Sequence, residues 1–310
     1  MDWVLFALIY SFALAIVGHL DRFIISKYFT GGSGPGALIL FSGLIGLPVV
    51  LVLLPFDLSV FQLGFIPILA AIFSGFLYLT GLIPYFHALE HNETSLVLTL
   101  FQLIPIISLF LGFIFLGEIL SLNEIFASTL VLLSAIFLSL ELNLIKIEKR
   151  VRFKLRPFVL MFISSSLFAF NILVFKMVAL ELTFWQTIFW QYFGFFIFSV
   201  FVFGLIPAYR RQFISVIKNN SFGSIGLNSM NELIAVGGQF SLHFATLLAP
   251  LAIVSVVADG FPPTFALIIG IAITVIFPNT KLENLDVKIL TQKILAIFFM
   301  FVGIFILSLN

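Results

Sequence analysis

The sequence predicts an all-α integral membrane protein with about ten transmembrane helices. Hydrophobic residues make up 62% of the 310 positions, charged residues only 9%, and the mean hydropathy is +1.24. A soluble domain is about one quarter charged, so this chain lacks the polar surface that water requires. Apolar stretches of roughly twenty residues recur along the chain, which is the length that a helix needs to cross a bilayer. These stretches do not alternate polar with apolar residues as barrel strands do, so helices are favoured.

The composition also limits the classes of function. The net charge of +1 leaves no basic surface for nucleic acid. The absence of cysteine excludes disulfide and thiolate chemistry, and no motif calls for a cofactor. The start, Met1-Asp2-Trp3, lacks the basic region of a signal peptide, so we expect the first helix to stay in the mature protein. We therefore expect a multi-pass protein of the cell membrane, whose oligomeric state the sequence does not indicate.

Turn residues separate ten predicted spans. Pro55-Phe56-Asp57 and Glu90-His91-Asn92-Glu93 mark two of the breaks. The glycine-rich turn at 31–36 is not followed by Lys-Ser or Lys-Thr, so it is a linker rather than a phosphate-binding loop. The predicted spans are Trp3–Tyr28, Pro35–Leu54, Gly64–Leu89, Ser95–Leu116, Leu122–Leu142, Pro157–Leu180, Phe184–Ile206, Phe222–Leu248, Pro250–Phe277 and Val287–Leu309.

A strongly basic stretch divides the chain into two halves of five spans each. Six lysines and arginines fall between Lys146 and Arg156. We therefore predict a first five-helix repeat at 1–143, a connecting loop at 144–156 and a second five-helix repeat at 157–310.

The two halves carry similar landmarks in the same order. Arg22 matches Lys176 at an offset of 154, and His87 matches His243 at an offset of 156. One inserted residue then places Gln102 opposite Asp259, and Pro105 opposite Pro262. Because each half has an odd number of spans, the second half enters the membrane in the opposite orientation. Inverted repeats are typical of secondary transporters, whose substrate site lies near the midplane between the halves.

One predicted helix carries a narrow polar stripe. At 100° per residue, Asn228, Gln239, Glu232 and His243 fall within about 60° of one another, over about 22 Å of helix. Polar groups inside a membrane usually face a cavity, so the stripe predicts a substrate or proton site. The alternative is a set of hydrogen bonds that join helices.

A second candidate site lies where the ninth span meets two prolines. Asp259 is followed by Pro262 and Pro263, which remove backbone donors and should break the helix. Freed carbonyls beside a carboxylate are typical of ion and substrate sites in transporters; the alternative is a structural kink. Gln102 and Pro105 are the counterparts in the first half. Because burial disfavours a charged carboxylate, Glu232 or Asp259 could exchange protons, or serve as counter-ions for a cationic substrate.

The remaining ionisable residues in or near the spans have simpler interpretations. Arg22 and Lys176 are expected to extend their side chains to the membrane interface. His87-Ala88-Leu89-Glu90-His91 satisfies a zinc-enzyme pattern in which His87 and His91 bind the metal. A match of five residues in a chain of this length favours coincidence, so we predict neither a metal site nor catalysis.

Several motifs resemble the EamA type of the drug/metabolite transporter superfamily. They are Pro105 within the fourth span, the close of that span on Leu116-Gly117-Glu118, and Asn171 with Lys176 in the sixth span. The second half departs from the pattern, because Phe277-Pro278-Asn279 stands where a Leu-Gly-Glu end is expected.

This resemblance implies a ten-helix secondary transporter that moves a small metabolite by alternating access. Export of an amino acid, an amine or a similar solute is the function it favours, with proton coupling as one possibility and flipping of lipid head groups as a variant. Two alternatives from other classes stay open: a membrane scaffold or assembly protein, and a metalloenzyme built on His87 and His91.

The distribution of basic residues predicts the orientation in the membrane. The odd-numbered connections, counted from the N-terminus, hold Lys27, the six central bases, Arg210, Arg211, Lys218, Lys281 and Lys288, whereas the even-numbered connections hold almost none. Short loops rich in lysine and arginine stay in the cytoplasm, so both termini should lie outside. Proteins of the resembled family are often drawn with both termini inside.

Overall fold

A computed structural model describes residues 2–27, 34–91, 97, 100–139, 155–219, 222–276 and 287–308. These residues form α-helices and two short 3₁₀ turns, without any strand in the described part. The helices are α1 Asp2–Lys27, α2 Gly34–Leu44, α3 Gly46–Leu53, α4 Phe65–His91, α5 Leu103–Leu116, α6 Leu122–Ser139, α7 Leu155–Glu181, α8 Phe184–Leu205, α9 Pro207–Asn219, α10 Phe222–Leu248, α11 Leu251–Gly260, α12 Pro262–Ile276 and α13 Val287–Ser308. The basic connecting loop before Leu155, and Phe277-Pro278-Asn279, lie outside the described residues.

The helices confirm the predicted all-α membrane fold. In the described residues, seven helical segments are long and apolar enough to cross a bilayer, and α5 and α6 are shorter apolar helices. Helix α10 has 27 residues, about 40 Å, but its polar stripe lowers its hydropathy. The count of ten spans and the division into two repeats stay predictions.

Prolines interrupt the helical hydrogen bonds of two spans. Between α2 and α3 the hydrogen bonds continue through Ile45, although Pro48 cannot donate to the carbonyl of Leu44. The ninth predicted span is broken at Phe261 into α11 and α12, as Pro262 and Pro263 predict.

Helix α9 is not among the predicted spans, because its sequence is too polar for a span and falls in a predicted connection. Its apolar residues nevertheless recur at helical spacing, and they pack on α2: Val216 is buried, and the rings of Phe213 and Phe41 lie 4.9 Å apart. Gln212 accepts a hydrogen bond of 2.9 Å from the backbone N–H of Gly36. This amphipathic helix, with Arg210 and Lys218, has the character of an interfacial helix.

Helices of the two halves pack on each other reciprocally. Helix α1 packs on α10 and α7 packs on α4, while α5 packs on α11 and α6 on α13. Serine contacts show the same reciprocal pattern: Ser11 Oγ lies 3.2 Å from the carbonyl oxygen of Val257, and Ser165 Oγ lies 3.4 Å from that of Leu100. The two serines are 154 positions apart and the two carbonyls 157, which are the offsets between the halves in the sequence.

Glycines allow α4 and α8 to approach closely. A Cβ atom on Gly75 would lie 2.4 Å from the carbonyl oxygen of Gln191, and one on Gly194 would lie 2.6 Å from that of Ile72. Such small residues are typical of helix contacts in membranes. The turn before α4 is joined to α8 as well, because Trp190 Nε1 donates to the carbonyl of Val60 at 3.0 Å. These contacts fix the position of α4, which carries two tyrosines of the central cavity.

Candidate functional site

A cavity of about 50 Å³ lies between helices of both halves. Helices α1, α4 and α5 supply its wall from the first half, and α7, α10 and α11 from the second. Its polar lining residues are Tyr10, Asp21, Tyr78, Tyr85, Asn171, Gln239 and Asp259. The remaining lining residues are apolar, so the cavity has the composition of a small-molecule site.

Asp259 lies at the cavity with both carboxylate oxygens buried and without a hydrogen-bond partner among the described residues. Its exposed fraction is 2%. A buried charged group without a partner is costly, so the arrangement persists only if a proton or a ligand compensates it. A buried carboxyl group without a partner beside a cavity makes Asp259 a candidate functional residue.

The backbone beside Asp259 is hydrogen-bonded by side chains instead of by its own helix. Pro262 and Pro263 have no N–H, so the carbonyls four residues earlier, at Ala258 and Asp259, lose their helical donors. Ser11 Oγ donates to the first at 2.8 Å, and Gln102 Nε2 donates to the second at 2.9 Å. Gln102 thus contacts the residue that the sequence placed opposite it, although it does not line the cavity.

Asp21 is the second carboxyl group of the cavity, and the sequence analysis did not select it. Its side chain is 4% exposed. Asn231 Nδ2 donates to Oδ1 at 2.8 Å, and the hydroxyl of Tyr85 donates to Oδ2 at 3.3 Å. The sequence does contain a feature that could have identified it, because Asp21 is an ionisable residue inside the predicted span Trp3–Tyr28.

The polar stripe of α10 divides between the cavity and the helix contacts. Gln239 lines the cavity, but Asn228, Glu232 and His243 are not among its lining residues. Ser42 Oγ donates to Glu232 Oε1 at 2.7 Å. His243 stacks on Phe175, with ring centroids 3.7 Å apart.

Asn228, at the start of the stripe, is fully buried, and both of its side-chain polar atoms lack a hydrogen-bond partner in the described part of the chain. The transport roles predicted for Asn228, Glu232 and His243 stay predictions. Asn171 from the family-like motif lines the cavity and donates to the carbonyl of Ser74 at 2.8 Å.

The expectation that Lys176 extends to the interface is wrong. Its side chain is 10% exposed, and Nζ lies 2.7 Å from Glu118 Oε1. The same ammonium donates to the carbonyl of Ala249 at 2.9 Å. Glu118 Oε2 accepts from the backbone N–H of Leu251 at 2.8 Å, so the carboxylate also caps the start of α11. Arg22 is exposed, and its position at the membrane interface stays a prediction.

Gly117 explains why the family-like motif has glycine before Glu118. Its φ of +64° is left-handed, which costs other residues about 1–2 kcal/mol. This turn ends α5 two residues after Phe115 and lets the N–H of Glu118 bond the carbonyl of Gly112 at 3.1 Å. Glu118 is thereby directed towards Lys176 and Leu251. Pro105, also in the motif, is buried in the first turn of α5, where proline fits.

The zinc pattern is not supported by the described residues. His87 Nδ1 lies 2.8 Å from the carbonyl oxygen of Ile83, one turn earlier in α4. The side chain of His91 lies outside the described residues. Across the part of the chain that the structure describes, no three histidines, aspartates or glutamates are grouped as a metal site would need.

Comparison with known proteins supports the resemblance. Residues 1–140 match the EamA-like transporter family, which belongs to the drug/metabolite transporter superfamily. The matched range contains α1 to α6 and therefore the Pro105 and Gly117-Glu118 motifs. No curated protein matches the chain.

Proposed function

We propose that the protein is a secondary transporter of the cell membrane that moves a small metabolite by alternating access. One observation carries the proposal: an internal cavity lined by both halves holds the unpartnered carboxyl group of Asp259. A scaffold has no need of a buried cavity that contains an uncompensated acid. The match of residues 1–140 to a transporter family supports the same conclusion.

Alternating access requires two bodies that can move against each other around the site. The reciprocal packing of α1 on α10 and of α7 on α4 supports two inverted five-span repeats, related by an axis through the cavity region. The cavity lies where these pairs meet, with Tyr10 and Gln239 from one pair, and Tyr78 and Asn171 from the other. Rocking of one pair against the other would open the cavity to each side in turn.

Transport can be tested in proteoliposomes loaded with a mixture of amino acids and small amines, whose contents are followed by mass spectrometry. We expect at least one solute to leave faster through the native protein than through Leu82→Trp, in which the indole fills the cavity. Leu69→Trp is the matched control, because Leu69 lies on the same helix but is 47% exposed. If the native protein and Leu82→Trp release every solute at the same rate, small-metabolite transport is rejected.

The same assay tests proton coupling through Asp259 and Glu232. A carboxyl group without a partner can hold either a proton or a cationic ligand, so proton and substrate would compete for Asp259. Transport by the native protein should therefore depend on the pH gradient. The double variant Glu232→Gln/Asp259→Asn should lose that dependence, and an unchanged dependence would refute the coupling.

A further inference from the structure

The charges around the central cavity have one sign. Asp21 and Asp259 lie among its lining residues, and no described lysine, arginine or histidine lines it. Two basic residues are close in sequence to residues that line the cavity. Lys176 is paired with Glu118, and Arg22 is on the exposed side of α1. An anionic ligand would meet two carboxyl groups and no compensating charge.

The carboxyl groups of Asp21 and Asp259 differ in whether their oxygens already accept hydrogen bonds from the protein. Asp21 has one hydrogen bond on each oxygen, from Asn231 and from Tyr85. Asp259 has none, and neither oxygen is open to bulk solvent. A donor group of a ligand is therefore needed at Asp259 rather than at Asp21. A charged donor fits best, because hydrogen bonds between ions are about twice as strong as neutral ones.

Aromatic rings form a continuous wall of the same cavity. The ring centroid of Tyr78 lies 5.4 Å from that of Phe168, Phe168 lies 6.0 Å from Phe101, and Phe101 lies 5.3 Å from Tyr85. Ring faces attract cations as well as apolar groups. Tyr10 adds a further ring from α1.

We infer that the cavity binds a small organic cation, with its ammonium group at Asp259 and its apolar body against the aromatic wall. This inference rests on the proposed function and names the substrate class of the same site. The cation neutralises Asp259 and supplies the donors that its oxygens lack. The wall of Tyr78, Phe168, Phe101 and Tyr85 excludes water from the remainder of the ligand. Carboxylate-bearing solutes are disfavoured by the charges of Asp21 and Asp259.

Three probes with one carbon skeleton test the sign of the charge. Phenethylamine is phenylalanine without its carboxylate, and 3-phenylpropionate is phenylalanine without its amine. Binding to the detergent-purified protein is measured by thermal shift over a range of concentrations. We expect phenethylamine to raise the melting temperature, phenylalanine to act at least tenfold more weakly, and 3-phenylpropionate to have no effect. Equal or tighter binding of either carboxylate, or no shift with phenethylamine, overturns the inference.

Variants locate the cation within the cavity. Asp259→Asn keeps the shape of the side chain and should raise the Kd for phenethylamine at least tenfold. Asp57→Asn makes the same change in the turn before α4 and should leave the Kd unchanged. Phe101→Leu keeps an apolar wall without the ring, and should weaken phenethylamine several-fold. An unchanged Kd in Asp259→Asn overturns the placement of the cation.

The outcome is separable from that of the transport assay. Solute efflux that Leu82→Trp abolishes, together with no binding of phenethylamine, would reject the cation and keep the transporter. Binding of phenethylamine that needs Asp259, without any efflux that depends on Leu82, would keep the cation site and reject transport.

Discussion

Lys176 is a charged residue inside a long apolar helix, and its contacts explain how that charge is tolerated. Its ammonium group reaches Glu118 and the carbonyl of Ala249, while Glu118 also caps α11 at Leu251. One carboxylate thus joins the end of α5, the C-terminal part of α7 and the start of α11. The three helices lie on both sides of the boundary between the halves, so this ion pair links the halves at one end of the cavity region.

We expect Lys176→Met to destabilise the protein by about 2 kcal/mol, because Glu118 would keep a partly buried charge without its partner. Glu118→Gln retains an oxygen for Leu251 but also leaves Lys176 unpaired. The double variant should lose less than the sum of the two, with a coupling of about 1–3 kcal/mol. Unfolding in mixed micelles measures these differences. Lys218→Met, at an exposed position of α9, serves as the control. Additive losses would show that the pair does not stabilise the fold.

The sequence predicted Asp259 as a site residue because an acid followed by two prolines is unusual inside a span. It did not predict Asp21 as a member of the site, although Asp21 is also an ionisable residue inside a predicted span. Near a helix end, with Arg22 as its neighbour, Asp21 has a local explanation. What makes it part of the site is Asn231, 210 positions away, and such a partner cannot be deduced from one helix alone.

At the scale of elements, the two prolines predicted the break between α11 and α12. They did not predict which side chains bond the carbonyls that the break leaves free. The prolines explain which two carbonyls are free. Only the packing of α1 and α5 on α11 shows that Ser11 and Gln102 supply the missing donors. Likewise, the polar stripe of α10 was predicted, but the rotation of α10 is fixed by its contacts with α1. That rotation directs Gln239 into the cavity and leaves Asn228 outside its lining.

The hydrogen bond from Ser11 should matter only while Pro262 is present. In the native chain, Ser11→Ala removes the hydroxyl that lies 2.8 Å from the carbonyl oxygen of Ala258, which should cost about 1 kcal/mol. In a Pro262→Ala background the new N–H can donate to that carbonyl, so Ser11→Ala should cost little. Unfolding in mixed micelles provides the four stabilities. Ser166→Ala, whose hydroxyl bonds only within its own exposed helix face, should show no dependence on Pro262. An equal cost of Ser11→Ala in both backgrounds would contradict this account.

At the scale of the whole molecule, the sequence predicted a helical membrane protein, and its motifs predicted the family that residues 1–140 match. The sequence aligned the two halves at offsets of 154 to 157 positions. The same offsets separate the residues of the Ser11–Val257 contact from those of the Ser165–Leu100 contact. The sequence assigned α9 to a connection, because an interfacial helix is too polar for a hydropathy criterion and too short for a span. The basic residues of α9 help to predict the orientation of the protein in the membrane.

We expect α7 and α8 each to cross the bilayer, so the start of α7 at Leu155 and the basic helix α9 should lie on the same side of the membrane. Electrostatic attraction to anionic lipids and the bias of lysine and arginine both favour the cytoplasmic side. The chain has no cysteine, so a thiol reagent can label only the single cysteine that is introduced. In intact cells, we expect an impermeant thiol reagent to label Glu181→Cys, at the end of α7, and to leave Lys218→Cys unlabelled until the membrane is opened.

The opposite labelling pattern would place both termini inside, as is often drawn for the resembled family, with the basic segments on the outer surface. Labelling of both cysteines from one side would have a different meaning. A single span, α8, lies between Glu181 and Lys218, so that result would show that α8 does not cross the bilayer. The inverted arrangement would then fail, because it requires the second half to keep an odd number of spans.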